Sequence, residues 1–176
     1  MDKSRKAAIL PIAILLSALL SGCGGGNSTI AASNGSAPRQ SGSLEYALTT
    51  TKMTFAKGEQ VSLTFTVRNV SMQTVNVELG TCDWFDTKVV NGSQVLWEKR
   101  LTHGCGASVN PLSIAPGEIK TFNYSWPQTD QQGNPAPAGQ YAIKSWFQPY
   151  NSTDPNLSPG NQEANEYAYP IQISVQ

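Results

Sequence analysis

Strict alternation of apolar and polar residues is the feature of this sequence that most restricts its fold. Residues 61–67 place Val, Leu, Phe and Val at every second position, with Ser or Thr between them. The same period of two recurs in residues 75–79, 121–126 and 169–175, with Tyr169 on the predicted inward side of the last segment. A period of two turns one face of a β-strand inward and the other into water. These segments therefore predict half-buried strands.

The spacing of these strands predicts one all-β domain over residues 44–176. Outside the apolar run at residues 7–20, no window shows the spacing of three and four that an amphipathic helix requires. Gly and Pro recur throughout, which favours many short strands over a few long elements. We expect about seven to nine strands in an antiparallel sandwich of two sheets.

Two short turns and two long loops connect the predicted strands. Asn91-Gly92 is the dipeptide favoured in type I′ hairpins, where both central residues have positive φ. Residues 115–118 carry Pro and then Gly in the order of a type II turn. The connections at residues 127–140 and 148–166 are longer than hairpin loops, and such loops are usually functional or disordered.

The N-terminal segment predicts export. Lys3, Arg5 and Lys6 precede the apolar run at residues 7–20, as in a secretory signal. That run is shorter than the roughly 20 apolar residues of a membrane-spanning helix. We therefore interpret it as a targeting segment.

Residues 20–23, Leu-Ser-Gly-Cys, resemble the bacterial lipobox. The resemblance implies that residues 1–22 are a removable signal peptide and that Cys23 becomes the first residue, carrying acyl chains such as palmitate. Two or three acyl chains on one residue anchor a protein stably in a membrane. The expected location is the cell envelope, and because Gly24 and not Asp follows the cysteine, the outer membrane is favoured if the cell has two membranes.

The segment between the lipid and the domain predicts a flexible tether. Residues 23–43 consist mainly of Gly, Ser, Asn and Ala, with Ile30 as the one bulky apolar residue. Such a composition cannot bury enough apolar surface to offset the entropy of ordering the chain. The domain should therefore be able to move away from the bilayer.

Charge and motif content argue against nucleic acid binding and catalysis. Without residues 1–22, nine basic and eleven acidic residues remain, a net charge of −2, and no basic stripe is present. His103 is the sole imidazole, and GxSxG, HExxH and phosphate-loop motifs are absent from the sequence. We expect no catalytic residue and no cofactor.

The remaining cysteines, Cys82 and Cys105, predict one disulfide, because exported proteins fold where thiols oxidise. Closing a loop of this length stabilises a fold by about 3 kcal/mol in the chain-entropy model. A metal site formed with Asp83 and His103 is a weaker hypothesis, since structural zinc needs four ligands at recognisable spacing.

Two pairs of carboxylates stand close together in sequence. Asp83 with Asp86, and Glu163 with Glu166, have the residue types of acid–base catalysis. The first pair lies in a stretch that reads as a turn, and the second lies in a polar loop. We interpret both pairs as solvent-exposed surface carboxylates.

The order of the strand segments resembles the BsuPI-type intracellular proteinase inhibitor domain over about residues 60–146. The segments that carry the resemblance are residues 65–71, 75–77, 86–92, 95–97 and 112–118, the aromatic strand ending at Trp126, and residues 138–141. The resemblance implies an immunoglobulin-like sandwich and inhibition of bacterial serine proteases. This chain departs from it in its predicted export, its cysteine pair and an additional strand near the C-terminus.

These inferences lead to one functional hypothesis with two alternatives. The first is a proteinase-inhibitor-like module whose binding loop includes Asn134, Pro135, Ala136 and Pro137, stiffened by the two prolines. The second is an adhesion or assembly module that docks envelope proteins through loops or strand edges. The third is a carbohydrate-binding domain that stacks sugars on Trp84, Trp97, Trp126 and Trp146, although core packing is the more common role of tryptophan.

Overall fold

The computed structural model describes residues 34–80, 85–102, 108–147, 149–157 and 168–176. The described chain is all-β, and its one helical element is a single 3-10 turn at Lys99–Thr102. The strands are β1 (Arg39–Ser41), β2 (Leu44–Thr50), β3 (Thr54–Phe55), β4 (Val61–Asn69), β5 (Val75–Gly80), β6 (Phe85–Asn91), β7 (Gln94–Glu98), β8 (Val109–Ile114), β9 (Ile119–Trp126), β10 (Gly139–Phe147), β11 (Pro149–Ser152) and β12 (Ile171–Val175). Twelve strands exceed the seven to nine predicted, and two of them, β1 and β3, are very short and lie at sheet edges.

The strand order is that of an immunoglobulin-like sandwich. One sheet has the order β1-β2-β4-β9 and the second the order β3-β12-β10-β6-β7. Strands β2-β4-β9 correspond to A-B-E, and β12-β10-β6-β7 to G-F-C-C′, of the immunoglobulin fold. Among the described strands, all pairings are antiparallel except that of β3 with β12, and strands β11-β5-β8 form a third sheet. The predicted fold class is confirmed.

The predicted inward faces form the core. All four apolar residues of segment 61–67 are at most 1% exposed, and Val75, Val77 and Leu79 are also buried. Ile171, Ile173 and Val175 are buried as predicted. Tyr169 is 50% exposed, so its predicted inward position is wrong. It precedes β12, and the ladder that orients the strand begins only at Ile171.

Both short turns form where the sequence predicts them. At residues 115–118 Gly117 has a φ of 76°, and the amide of Glu118 donates to the carbonyl of Ala115 at 3.0 Å, as in a type II turn. The β6–β7 hairpin also forms, but Asn91 pairs with Gln94, so the two-residue loop is Gly92-Ser93. Among the described residues of this turn, positive φ occurs at Gly92 alone. This is the pattern of a type II′ turn, and the type I′ prediction is wrong.

Order begins before residue 44, inside the segment predicted as tether. Strand β1 pairs with β2, and the amide of Ser36 donates to the carbonyl of Leu48 at 2.8 Å. The outer edge of β2 offers backbone partners, so this segment is ordered by hydrogen bonds and needs no apolar side chains. Residues 1–33, which include the predicted signal peptide and Cys23, lie outside the described residues.

A buried carboxylate fastens the β1–β2 turn. The Asp154 Oδ2 atom accepts the amide of Ser43 at 2.6 Å, and Oδ1 accepts the amide of Asn156 at 2.9 Å. Burial alone would raise the pKa of Asp154, but the hydrogen bonds from Ser43 and Asn156 outweigh it and hold the pKa below its ordinary value. The loop after β11 is thereby tied to the start of the domain.

Several other predictions fall on residues that the structure does not describe. These are the Cys82–Cys105 disulfide, the metal hypothesis at Asp83 and His103, and the positions of Trp84, Glu163 and Glu166. Within the described residues, no helix is long and apolar enough to cross a membrane. The same residues contain no group of three His, Cys, Asp or Glu side chains that could hold a metal ion.

Candidate functional site

The predicted binding loop connects β9 to β10, and its middle part, residues 130–134, forms a tight turn. The carboxylate of Asp130 closes this turn by accepting the side-chain amide of Asn134 at 2.9 Å and the backbone amides of Gln132 and Asn134 at 2.9 and 2.8 Å. The Asn134 side chain, followed by the backbone amides, holds the pKa of Asp130 below its ordinary value. The amide of Asp130 also donates to the carbonyl of Asn134 at 2.8 Å. The turn is therefore rigid and not an extended segment.

The first part of the loop is fastened to the β3–β4 connection by Gln128. This side chain is 2% exposed, donates to the carbonyl of Ala56 at 3.0 Å and accepts the amide of Gly58 at 2.7 Å. The backbone of Gln128 has a φ of 57°, which is unfavourable for a residue with a side chain. Two partly buried hydrogen bonds to backbone groups offset that cost.

The middle of the loop covers the edge of the second sheet. The amide of Gln131 donates to the carbonyl of Leu96 at 3.0 Å, and its side-chain oxygen accepts the amide of Glu98 at 2.8 Å. Both partners belong to β7, the outermost strand of that sheet. The loop therefore occupies backbone groups that would otherwise be open to another chain.

The end of the loop is held by aromatic side chains. The hydroxyl of Tyr141 donates to the carbonyl of Pro137, four residues earlier, in the manner of a tyrosine corner. The indole of Trp126 donates to the carbonyl of Thr129 at 2.9 Å. Of the four residues proposed for binding, Ala136 is 1% exposed, and Asn134, Pro135 and Pro137 are exposed. The longest exposed run of the loop is the turn at residues 132–135.

A second polar feature, the charge cluster, lies where β6, β7 and the 3-10 turn meet. Asp86 is fully buried, and Glu98 is 6% exposed. The Nε atom of Arg100 lies 3.4 Å from Asp86 Oδ2 and also contacts Glu98 Oε1. The amide of Arg100 donates to Asp86 Oδ1 at 3.2 Å, which fixes the start of the 3-10 turn. The interpretation of Asp86 as a surface carboxylate is therefore wrong, because Asp86 lies within β6 and not in a turn.

Neighbouring side chains complete the cluster. Lys88 Nζ lies 4.0 Å from Glu98 Oε2 and 5.2 Å from the ring centre of Trp146. The carboxylates of Asp86 and Glu98 share the guanidinium of Arg100.

On the core side of β6, the Tyr124 hydroxyl contacts Ser145 Oγ at 2.6 Å. Burial raises the pKa of Tyr124.

The three tryptophans in the described residues do not form an exposed stacking face. Trp126 is fully buried, and Trp97 and Trp146 are each 6% exposed. A sugar ring could reach none of them without displacing core side chains. This removes three of the four residues on which the carbohydrate-binding hypothesis depends.

Comparisons with known proteins give no family for this chain. No family model and no curated protein matches the sequence. Among solved structures, the β-glucosidase EmGH1 of Erythrobacter marinus has 11% identity and a TM-score of 0.44, with 77% of this chain and 16% of that chain covered. The CARDB domain of the PF1109 protein of Pyrococcus furiosus has 12% identity and a TM-score of 0.41, with 77% and 94% covered. At these values the likenesses carry no argument about function.

Proposed function

We propose that this chain is an exported, lipid-anchored β-sandwich that binds another protein through the turn at residues 132–135 and has no catalytic role. The observation that carries the proposal is the rigidity of this exposed turn. A binding loop that is already ordered loses little entropy when a partner binds. Asp130 closes the turn, and Gln128 and Gln131 fix the chain before and beside it, so its shape is set before any encounter.

Inhibition of a serine protease is the specific form of binding that we propose. It rests on the resemblance to the BsuPI-type inhibitor domain and on the preorganised turn. Because the turn is tight, it would meet the enzyme as a convex surface that presents Gln132 and Asn134, not as a substrate-like strand. Adhesion to an envelope protein through the same turn is the alternative.

Titration against a panel of bacterial serine proteases tests this function. We expect a stoichiometric loss of activity for at least one protease. Gln132→Trp should relieve the inhibition, because Gln132 is exposed at the turn. Gln94→Trp, at an exposed glutamine beside the β6–β7 turn, is the matched control and should inhibit like the native protein. Full activity of every protease at a large molar excess of inhibitor would refute inhibition, and photo-crosslinking from residue 132 would then identify a different partner.

Lipid attachment is tested separately at Cys23. We expect Cys23→Ala to leave an unprocessed precursor without fatty acid, because the thiol is the acceptor of the lipid and its modification precedes cleavage of the leader. Labelled palmitate followed by mass spectrometry of the N-terminus measures both steps. Incorporation of palmitate into the variant, or cleavage at another site, would contradict this anchor.

A further inference from the structure

Strand β9 presents the longest open backbone edge in the described part of the chain. It forms one side of the first sheet, and its described pairing is with β4 alone. The amide of Asn69 donates to the carbonyl of Glu118, which sets the parity of the ladder between the two strands. By alternation, the N–H and C=O groups of Ile119, Thr121, Asn123 and Ser125 point away from β4. Among the described residues, none of these groups has a partner.

The other sheet edges are short or blocked. Gln131 covers β7, and β8 contains Pro111, which has no N–H group to donate. Strands β1 and β3 have three and two residues, and β11 begins with a proline. Natural sandwiches protect their edges in these ways to prevent pairing between molecules. The eight residues of β9 contain no proline, and their one charged residue, Lys120, is already paired with Glu118.

We propose that β9 pairs with β9 of a second copy of this chain, antiparallel, about a two-fold axis at Phe122. In this register Ile119 lies opposite Ser125 of the second copy, and Thr121 opposite Asn123. The outward groups of the four residues then form about eight backbone hydrogen bonds. The two four-stranded sheets become one continuous sheet of eight strands.

Self-pairing in this register brings no like charges together. Lys120, which forms an ion pair with Glu118 at 2.6 Å, lies opposite Tyr124 of the second copy. Phe122 lies opposite its own symmetry mate, and aromatic cross-strand pairs are favourable. The strand is also rich in β-branched and aromatic residues, which favour sheet pairing. These features favour a second copy as the occupant of this edge, and the inference does not depend on the binding turn.

Sedimentation equilibrium of the full chain in density-matched detergent tests the proposal. We expect a reversible dimer. Thr121→Lys should raise its dissociation constant by about threefold, because the two added lysines would lie diagonally across the axis and repel each other. Ser62→Lys is the matched control, since Ser62 is exposed on the same sheet face, but the backbone of β4 is already paired on both sides. This control should leave the dissociation constant unchanged.

Unfolding curves of both variants establish that the fold is intact. A native chain that remains monomeric at all concentrations would overturn the proposal. So would equal weakening by both variants, which would place the contact on the sheet face and not at its edge. Failure of the protease titration would leave this result unaffected, because the turn at residues 132–135 forms no part of the β9 edge.

Discussion

Trp126→Ala should lower the free energy of unfolding by about 3 to 5 kcal/mol. Trp126 is fully buried at the end of β9, and its ring centre lies 5.2 Å from that of Tyr141 in an edge-on arrangement. The variant creates a cavity between the sheets and also removes the hydrogen bond to the carbonyl of Thr129. A loss of this size is a large fraction of the roughly 5 to 15 kcal/mol that stabilises a domain.

Urea unfolding followed by far-UV circular dichroism measures this effect. Met72→Ala is the control, since Met72 is 93% exposed and its loss should change the free energy of unfolding by less than about 0.5 kcal/mol. Trp126→Ala should also loosen the binding loop, because the side chains of Trp126 and Tyr141 both donate hydrogen bonds to the loop backbone. A loss below about 1 kcal/mol for Trp126→Ala would contradict the core position of this side chain.

Arg100→Met should lower the free energy of unfolding by about 3 kcal/mol near neutral pH. Asp86 and Glu98 share the guanidinium of Arg100, and both carboxylates are buried. Methionine keeps much of the length and apolar volume of the side chain but removes the cation. The buried carboxylate of Asp86 then loses a cation that lies 3.4 Å away in the native protein, and this loss is costly while the carboxylate is charged.

The pH dependence separates this mechanism from simple loss of packing. Acidification neutralises carboxylates. The difference in the free energy of unfolding between the native protein and Arg100→Met should therefore become smaller as the pH falls. Lys120→Met is the matched control, because the Lys120–Glu118 pair is partly exposed and such pairs contribute about 1 kcal/mol or less. If Arg100→Met lowers the free energy of unfolding by the same amount at every pH, the shared ion pair is contradicted.

At two places a local rule in the sequence predicted the structure correctly. The alternation in residues 61–67 identified the buried face of β4, because successive side chains of a strand point to opposite sides. Pro116 and Gly117 identified a turn, because the backbone preferences of these two residues fix the shape of a four-residue segment. Long-range contacts were not needed for either prediction.

The charge cluster was missed because it depends on a bulge. Val89 pairs with Trp97 and Val90 with Val95, so Leu96 is an extra residue in β7. This insertion brings Glu98 opposite Lys88 and separates the environments of Val95, which is 47% exposed, and Trp97, which is buried. Residues 95 and 97 have the same parity in sequence, so alternation alone could not distinguish them.

By itself, the sequence determined the all-β class, the strand segments and which side of most strands faces the core. It also predicts a lipid at Cys23, which no tertiary contact is needed to infer. Only the tertiary structure decided that Asp86 is buried, that Gln131 covers β7 and that β9 pairs on one side only among the described strands. The physical reason is that a period of two fixes the face of a strand, whereas its neighbours, its register and the cover of its edge depend on residues distant in the chain.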